Sequence, residues 1–294
     1  MESKSPIIVI AGPTASGKSD IAIQVAKRVN GYIINADSRQ VYKEMKTGTA
    51  QPVPDRIEGG VWYIDGIQHH LYGYRSITEP LNISLFQKDV QKVLDTEEGI
   101  PILVGGTGLY IDCIVHNYSI KEEEINTKER EDLLKLSIEE LREKVDKDVL
   151  ESLNNSDRNN PRRLIRIIEG GIKKEINNPL KHIYFVIDIP KKKLEERISK
   201  RVDSMFKSDL EQEVEDLFSK YDSSLSTFNT IGYQEFRGYF EKEKNLEDVK
   251  KDIILHTKQY AKRQRTWFRR NKDAIWTNDT KDILQQAEQF IKIS

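Results

Sequence analysis

Short apolar runs alternate along this chain with segments that have helical periodicity. The apolar runs cover residues 7–11, 32–36, 102–104 and 183–189, and turn residues bound them. Runs of this length predict buried strands, and helical segments between consecutive strands predict crossover connections. The pattern therefore predicts an α/β protein, in which a mostly parallel sheet forms a core flanked by helices.

A different pattern occupies the middle of the chain. Residues 121–153 are dense in charge and predict a charged helix, with apolar residues at helical spacing at Leu134, Ile138, Leu141, Val145 and Val149. We therefore expect a small helical insertion domain at residues 119–160, packed beside a core made of residues 1–118 and 161–294. From Leu194 to the end the chain predicts helices, with turns near Ser223 and Gly238.

The first apolar run leads directly into GPTASGKS, residues 12–19, which fits the pattern G-x-x-x-x-G-K-[ST]. In such a loop the backbone N–H groups and the start of the next helix face an anion, Lys18 reaches the outer phosphate, and the Ser19 hydroxyl can bind Mg²⁺. A helix is indeed predicted next, with a stop at Asn30-Gly31. Most such loops hold ATP or GTP, but the motif recognises only the diphosphate. The expected diphosphate-binding residues are Gly12, Pro13, Thr14, Ala15, Ser16, Gly17, Lys18 and Ser19.

Composition narrows the class of protein. The 294 residues include 32% charged and 37% hydrophobic residues, and the formal net charge is −1, so we expect a water-soluble protein with one large domain or a core plus an appended piece. The apolar run near the N-terminus is too short for a signal peptide or a membrane span, which predicts a cytoplasmic location. Cys113 is the single cysteine and excludes an internal disulfide or a Cys-based zinc site. We expect it to be a small buried hydrophobic residue.

Two polar segments follow predicted strands: ADSRQVY at 36–42 and GGTGLY at 105–110. Because ligands of parallel sheets gather at the carboxyl ends of the strands, we expect Asp37 and Thr107 to face the phosphate loop. Asp37 could be a magnesium ligand, a general base, or a turn residue that caps a helix, and Ser38 and Gln40 could contact the edge of a nucleobase. The two glycines of GGTGLY either allow a close backbone approach or only form a turn.

Other polar groups leave alternatives open. The pair His69-His70 lacks metal-ligand spacing, which favours a structural role. Three arginines at the start of a predicted helix, Arg162, Arg163 and Arg166, could contact a nucleic-acid backbone or a pyrophosphate, or could form a solvated charged face. Residues 258–272 contain seven basic residues and no acidic one, with Tyr260, Trp267 and Phe268 among them. This mixture suits RNA, whereas the alternative is an amphipathic helix whose aromatic residues are core.

Together these segments resemble the tRNA dimethylallyltransferase family of bacterial tRNA prenyltransferases. The stretches that carry the resemblance cover nearly the whole chain and are GPTASGKS, ADSRQVYKEMKTGTAQP, HHL, GGTGLY, NPRRLIRIIE, NTIGYQE and YAKRQRTWFR. Three positions depart from the usual family pattern: Asp209 stands where Gly is usual, Asn229 where Gln is common, and Lys258 where Arg is common. These departures concern local turns and individual tRNA contacts. The zinc finger of eukaryotic members is absent, as the single cysteine requires.

The resemblance implies a P-loop NTPase-like core and a defined reaction. A dimethylallyl group would pass from dimethylallyl diphosphate to N6 of the adenosine 3′-adjacent to the anticodon, in tRNAs that read codons beginning with U. Asp37 would accept the proton, Thr107 would orient the substrate, Arg201 would assist at the diphosphate, and Mg²⁺ would be the cofactor, held on Ser19. The segments that hold the tRNA anticodon stem-loop would supply Asp37, Ser38, Arg39, Gln40, Thr107, Arg162, Arg163, Arg166, Gly232, Tyr233, Lys262, Arg263, Gln264, Trp267 and Arg269.

Three other classes of protein could carry the same phosphate-loop motif. A nucleotide or metabolite kinase would use ATP as its donor, but it gives no reason for the basic aromatic segment. An AMP prenyltransferase would not need the tRNA-binding arginines. A non-enzymatic RNA-binding ATPase would need those arginines but not Asp37. We expect a monomer that has no membrane partner.

Overall fold

The structure of the protein is a computed structural model that describes residues 6–119, 127–169, 175–176 and 178–294. In these ranges the strands are β1 (Ile7–Ala11), β2 (Gly31–Asn35), β3 (Arg56–Glu58), β4 (Val61–Ile64), β5 (Ile67–His70), β6 (Ile100–Gly105), β7 (Tyr118–Ser119), β8 (Glu175–Ile176), β9 (His182–Ile187) and β10 (Ile275–Thr277). The α-helices are α1 (Lys18–Val29), α2 (Ile83–Thr96), α3 (Gly108–Val115), α4 (Thr127–Leu134), α5 (Ile138–Glu143), α6 (Lys147–Ser152), α7 (Asn155–Arg158), α8 (Pro161–Ile168), α9 (Lys191–Lys207), α10 (Leu210–Lys220), α11 (Arg237–Phe240), α12 (Leu246–Phe268) and α13 (Thr280–Lys292).

An eight-stranded sheet with the order β10-β9-β1-β6-β2-β5-β4-β3 runs through the larger unit, which comprises residues 1–115 and 180–294. Neighbours from β10 to β5 pair in parallel, and β4 and β3 add antiparallel strands at one edge. The register sets Ala11 beside Gly105 and Asn35 beside Val104. The carboxyl ends of β1, β6 and β2 therefore meet at one edge of the sheet, and the predicted α/β fold is confirmed.

Both faces of the central strands are buried. Alternate residues of β1 divide between two clusters: Ile8 and Ile10 join the cluster that contains residues of α1 and α13, whereas Ile7 and Val9 join the one that contains residues of α2 and α3. A strand that is covered on both faces has a continuous run of apolar residues in the sequence. This is why β1 could be predicted. A third cluster joins α9, α10 and α12 beside the sheet, around Val202, Leu210 and Ile253.

Several elements differ from the sequence-based expectations. The strands β3, β4 and β5 were not predicted, because all three are short and because β3 and β5 also carry charged or polar residues. The expectation that only helices and turns follow Leu194 is wrong at β10, which pairs in parallel with β9. Among the described residues, no helix is both long enough and apolar enough to cross a bilayer.

Residues 116–179 form a second compact unit, with a core of Leu133, Leu141, Val145, Leu164 and Ile165. The single charged helix predicted here is wrong within the described residues, where α4, α5 and α6 are separate short helices. Capping residues account for the breaks: Ser137 starts α5 with a reciprocal Ser–Glu capping box, and Asp146 caps α6. Consequently two of the predicted apolar positions, Leu134 and Val149, are exposed. The predicted edges at residues 119 and 160 stay predictions.

Candidate phosphate and acceptor site

The phosphate loop connects β1 to α1 through two residues with positive φ, Ala15 at +62° and Gly17 at +88°. The Ser16 N–H donates to the Pro13 carbonyl at 3.2 Å, which closes the turn. The residue that precedes α1 is Gly17, which has no side chain to accept the N–H groups of the first helical turn. Those donors and the positive end of α1 therefore face outward as an anion-binding concavity.

Three charged side chains interact beside this loop. Burial lowers the pKa of Lys18 to about 8, the carboxylate of Asp37 opposes that shift, and the guanidinium of Arg201 adds to it. Burial also lowers the pKa of Arg201, again against the opposing charge of Asp37. In addition, Arg201 Nη1 donates to the Thr14 hydroxyl at 3.3 Å, so α9 contacts the phosphate loop directly. Two partly desolvated cations at a loop of this shape suit a ligand with several negative charges.

A cavity of about 490 Å³ lies where the strand-end loops meet, and Thr14, Asp37, Thr107 and Arg201 all line it. The structure thus brings together the three residues predicted as catalytic with the phosphate loop. The Ser38 N–H donates to Thr107 Oγ1 at 3.1 Å, which joins the loops after β2 and β6.

The loop after β2 holds Asp37 in place. The Asp37 N–H donates to Oδ1 of the buried Asn35 at 2.9 Å, and the Arg39 N–H donates to Asp37 Oδ1 at 3.0 Å. One carboxylate oxygen of Asp37 therefore caps a turn, which is one of the roles left open by the sequence. The described residues supply no hydrogen bond to its second oxygen, so that oxygen can accept a proton from a ligand in the cavity.

Tyr260 on α12 is a further polar group of the cavity. Burial, and then the negative charge of Asp37, raise the pKa of its phenol to about 12. Tyr260 therefore stays neutral at physiological pH, and its ring lines the cavity together with Thr107. The sequence indicated this residue only as one of several aromatics in the basic segment.

Glycines allow the close packing of the loop after β6. A Cβ on Gly105 would overlap the backbone of Ala36, and one on Gly106 or Gly108 would overlap the side chain of Gln264 or Trp267. Of the two alternatives for GGTGLY, the structure thus shows the close backbone approach. The groups that approach these glycines are other parts of the protein rather than a ligand.

The other residues predicted to contact tRNA lie in three environments. The side chains of Lys262 and Arg263 are exposed on α12, and that of Arg269 is exposed directly after it. Ser38, Arg39 and Arg263 line the cavity. Arg162, Arg163 and Arg166 are exposed in the unit of residues 116–179, where Arg163 forms an ion pair with Asp157 at 2.5 Å.

Five further residues in that set make contacts inside the protein. Gln40 Nε2 donates to the carbonyls of Thr49 and Ala50, and Trp267 Nε1 donates to Asp112 at 2.8 Å. Tyr233 and Gln264 are buried. Gly232, with φ +98°, packs against the backbone of Gly48. The basic segment thus has a mixed character, because Lys262, Arg263 and Arg269 are exposed whereas Phe268 is buried.

Arg197 was missed by the sequence analysis. Its Nη1 donates to the Ser16 carbonyl of the phosphate loop at 3.0 Å, and it lines a second cavity of about 570 Å³ together with Lys193 and Arg201. Arg197 lies one helical turn before Arg201 on α9, so the i, i+4 spacing of these two arginines was the feature that could have indicated it.

The donor set can be tested against Mg²⁺. Among the described residues, no group of three or more His, Cys, Asp or Glu side chains is arranged to hold a metal. Ser19 and Asp37 supply hard oxygen donors, and the hydroxyl-bearing residue Ser19 is exposed at the start of α1. Because Mg²⁺ commonly uses one or two protein oxygens together with substrate phosphates and water, these residues fit a magnesium ion that arrives with a diphosphate.

The fold and this site define an α/β protein of the phosphate-loop class with an acceptor cavity beside the loop. The model of the IPP transferase family matches residues 40–271, and the chain therefore belongs to the IPP transferase family. The predicted resemblance is confirmed, and the chain is an enzyme of the transferase class.

Proteins similar to this chain include curated tRNA-modifying enzymes and proteins with solved structures. The tRNA dimethylallyltransferase of Acetivibrio thermocellus is 35% identical over 306 aligned residues, which cover 97% of this chain and 95% of that protein. The crystal structure of a tRNA isopentenylpyrophosphate transferase from Bacillus halodurans has a TM-score of 0.73 and 28% identity, covering 99% and 98% of the two chains. A eukaryotic dimethylallyltransferase acting on tRNA has a TM-score of 0.72 and 26% identity, over 90% of this chain and 70% of that one.

Proposed function

We propose that this enzyme transfers a dimethylallyl group from dimethylallyl diphosphate to N6 of the adenosine 3′-adjacent to the anticodon, in tRNAs that read codons beginning with U. The observation that carries the proposal is the shared cavity, which Asp37 and Thr107 line together with Thr14 of the phosphate loop and Arg201. A proton acceptor and an anion site at one cavity suit an acceptor that loses a proton and a donor that loses diphosphate.

The reaction balances in one substitution. The N6 nitrogen forms a bond to C1 of the dimethylallyl group, the C1–O bond breaks, and its electron pair leaves with the diphosphate. Asp37 accepts the N6 proton through its second carboxylate oxygen. Lys18, Arg201 and the first N–H groups of α1 stabilise the negative charge that develops on the diphosphate. Mg²⁺ held by Ser19 would add further charge neutralisation when it is bound.

Positioning is the other task of the site. Thr107, held by hydrogen bonds to Ser38, would orient the adenine, which has to leave the anticodon-loop stack at a cost of a few kcal/mol. Exposed cations would hold the tRNA backbone, namely Lys262 and Arg263 on α12, Arg269 directly after it, and Arg162, Arg163 and Arg166 in the smaller unit. Five residues of the predicted tRNA-binding set make contacts inside the protein, which supports a role in shaping the site rather than in touching tRNA. They are Gln40, Gly232, Tyr233, Gln264 and Trp267. The monomeric state and the cytoplasmic location stay predictions.

The test is transfer of label from radiolabelled dimethylallyl diphosphate, with Mg²⁺ present, to unmodified tRNA whose anticodon ends in A. The same tRNA with guanosine in place of the target adenosine is the matched substrate control, and AMP and ATP are alternative acceptors. We expect label only in the first tRNA. Label in AMP would favour an AMP prenyltransferase. ATP hydrolysis or phosphoryl transfer without prenyl transfer would favour a kinase or an RNA-binding ATPase.

A variant pair tests the assigned base. Asp37→Asn keeps the acceptor that caps the turn at Arg39, but its amide is not a proton acceptor at neutral pH. We expect a loss of turnover of about 100-fold or more, with the dissociation constant for tRNA unchanged. Asp65→Asn, at an exposed turn outside the cavity, is the control and should keep full activity. Full activity of Asp37→Asn would remove Asp37 as the base.

A further inference from the structure

The amide of Gln264 joins two loops of the site. Gln264 lies on α12 and is only 5% exposed. Its Oε1 accepts the Thr14 N–H at 2.9 Å, and its Nε2 donates to the Gly106 carbonyl at 2.9 Å. Since both ends of the amide are used, neither a carboxylate nor an apolar side chain of similar size can make the same two bonds.

The partners of Gln264 belong to the two halves of the proposed reaction. Thr14 is part of the phosphate loop, and its N–H is taken up by Gln264 rather than turned toward an anion. Gly106 directly precedes Thr107, which lines the acceptor cavity. The loops follow β1 and β6, which are neighbours in the sheet, so one side chain spans the gap between the donor loop and the acceptor loop.

The next residue on α12 extends this connection. Arg265 Nη2 donates to Asp188 Oδ1 at 2.7 Å, and its Nη1 donates to the Ile189 carbonyl at 2.8 Å. These groups follow β9, the other neighbour of β1. One turn of α12 therefore contacts the loops that follow three adjacent strands, whereas the flanking Lys262 and Arg263 are exposed to solvent.

We propose that Gln264 is a positioning residue, which sets the distance between the phosphate loop and the loop that carries Thr107. The proposal rests on the proposed function, because its consequence is a fixed separation between the prenyl donor and the adenine. Gln264 therefore acts from inside the protein rather than by touching tRNA. The same helix also carries the exposed cations. A tRNA bound to those cations would therefore contact the helix whose Gln264 holds the phosphate loop.

Gln264→Met keeps the size of the side chain and removes both hydrogen bonds, whereas Gln264→Glu keeps an acceptor for Thr14 and loses the donor to Gly106. Because a displacement of about 1 Å at a reacting centre can cost about 100-fold in rate, we expect kcat to fall by about that factor in Gln264→Met. We expect a fall of at least about tenfold in Gln264→Glu, since the acceptor loop is then released. The KM values for tRNA and for dimethylallyl diphosphate should change by less than about threefold, because no group that binds them is removed. Gln286→Met on α13, where Gln286 contacts Asp282, is the control and should match the wild-type enzyme.

Amide hydrogen exchange provides a readout that does not depend on activity. In Gln264→Met we expect faster exchange both at residues 12–17 and at residues 105–108, with the exchange of β1 and β6 unchanged. Unchanged exchange in these loops, or an unchanged kcat, would overturn the proposal. A raised KM for tRNA with kcat intact would instead place Gln264 in a tRNA contact. An inactive wild-type enzyme would contradict the proposed function, while the exchange experiment would still decide whether Gln264 couples the loops.

Discussion

The hydroxyl of Tyr233 donates a hydrogen bond of 2.6 Å to the carboxylate of Glu213. The same carboxylate accepts the N–H groups of Thr47 and Gly48, at 2.8 and 3.2 Å. Gly48 packs so closely on the Tyr233 ring that a Cβ at this position would overlap it. These contacts fix the segment around Gly48 and Thr49, two residues that line the acceptor cavity.

Tyr233→Phe should therefore lower the stability of the fold rather than the affinity for tRNA. The ring is fully buried, and its removed hydroxyl is one partner of a charged group, so we expect a loss of about 1–3 kcal/mol in the free energy of unfolding. Urea denaturation followed by circular dichroism measures this change. Tyr239→Phe, which removes a hydrogen bond to Glu211 nearer the surface, should cost less. A large rise in KM for tRNA without a loss of stability would show that Tyr233 contacts the tRNA.

The pKa of Lys18 predicts how diphosphate binding depends on pH. Burial lowers that pKa to about 8, so the side chain loses its positive charge as the pH rises through this value. A bound diphosphate favours the charged form, and the affinity should therefore fall by about tenfold per pH unit well above pH 8. The measurement is the dissociation constant of dimethylallyl diphosphate by calorimetry, from about pH 6.5 to 9.5.

Lys18→Arg is the matched control, because a guanidinium stays charged throughout this range. Its affinity should be nearly independent of pH above 8, although its absolute affinity should be lower, because the larger planar group does not fit the same position. Parallel pH profiles for the two proteins would show that another group controls the binding.

The sequence predicted the parts of the fold that local physics determines. The strand β1 and the helix α1 could be predicted because a doubly buried strand gives a continuous apolar run and the phosphate-loop pattern gives fixed positions. The short strands β3 to β5 could not, since β3 is exposed, β4 has only four residues, and β5 carries polar residues. The breaks between the helices of residues 127–152 could not be predicted either, because the apolar spacing there also fits one long helix. Ser137 and Asp146, which cap the separate helices, fit that spacing as well.

The site shows the same division. Asp37 and Thr107 could be placed near the phosphate loop because the carboxyl ends of parallel strands meet. The roles of Gln264 and Glu213 could not be predicted from local patterns. The partners of Gln264 lie 158 and 250 residues away along the chain, and those of Glu213 lie 20 to 166 residues away. A polar residue in a basic segment is typical of a tRNA contact, and only the packing of α12 against the strand-end loops indicates a different role for Gln264.

The exposed arginines of α12 predict a salt-dependent interaction. Arg263→Ala and Arg269→Ala should each weaken tRNA binding and reduce the slope of log K against log salt by up to about one, since each removes one phosphate contact. Filter binding between about 50 and 200 mM salt measures the slope. Arg56→Ala on the edge strand β3, where Arg56 pairs with Glu58, is the control. An unchanged slope in both α12 variants would show that these side chains do not contact phosphate.

The backbone conformation of Asp209 predicts that a substitution at this position stabilises the protein. It precedes α10 with φ +58° and ψ +37°, and its side chain forms no capping hydrogen bond. Glycine adopts this left-handed conformation without steric cost, which explains why a glycine is usual at this position of the family pattern. Asp209→Gly should therefore raise the free energy of unfolding by up to about 1 kcal/mol, because the relief of strain exceeds the added freedom of the unfolded chain. Ser208→Gly is the control, since Ser208 has a negative φ of −105° and the same change there should destabilise the protein. The two variants are compared by urea denaturation, and a loss of stability in Asp209→Gly would show that the aspartate makes a favourable interaction with the start of α10.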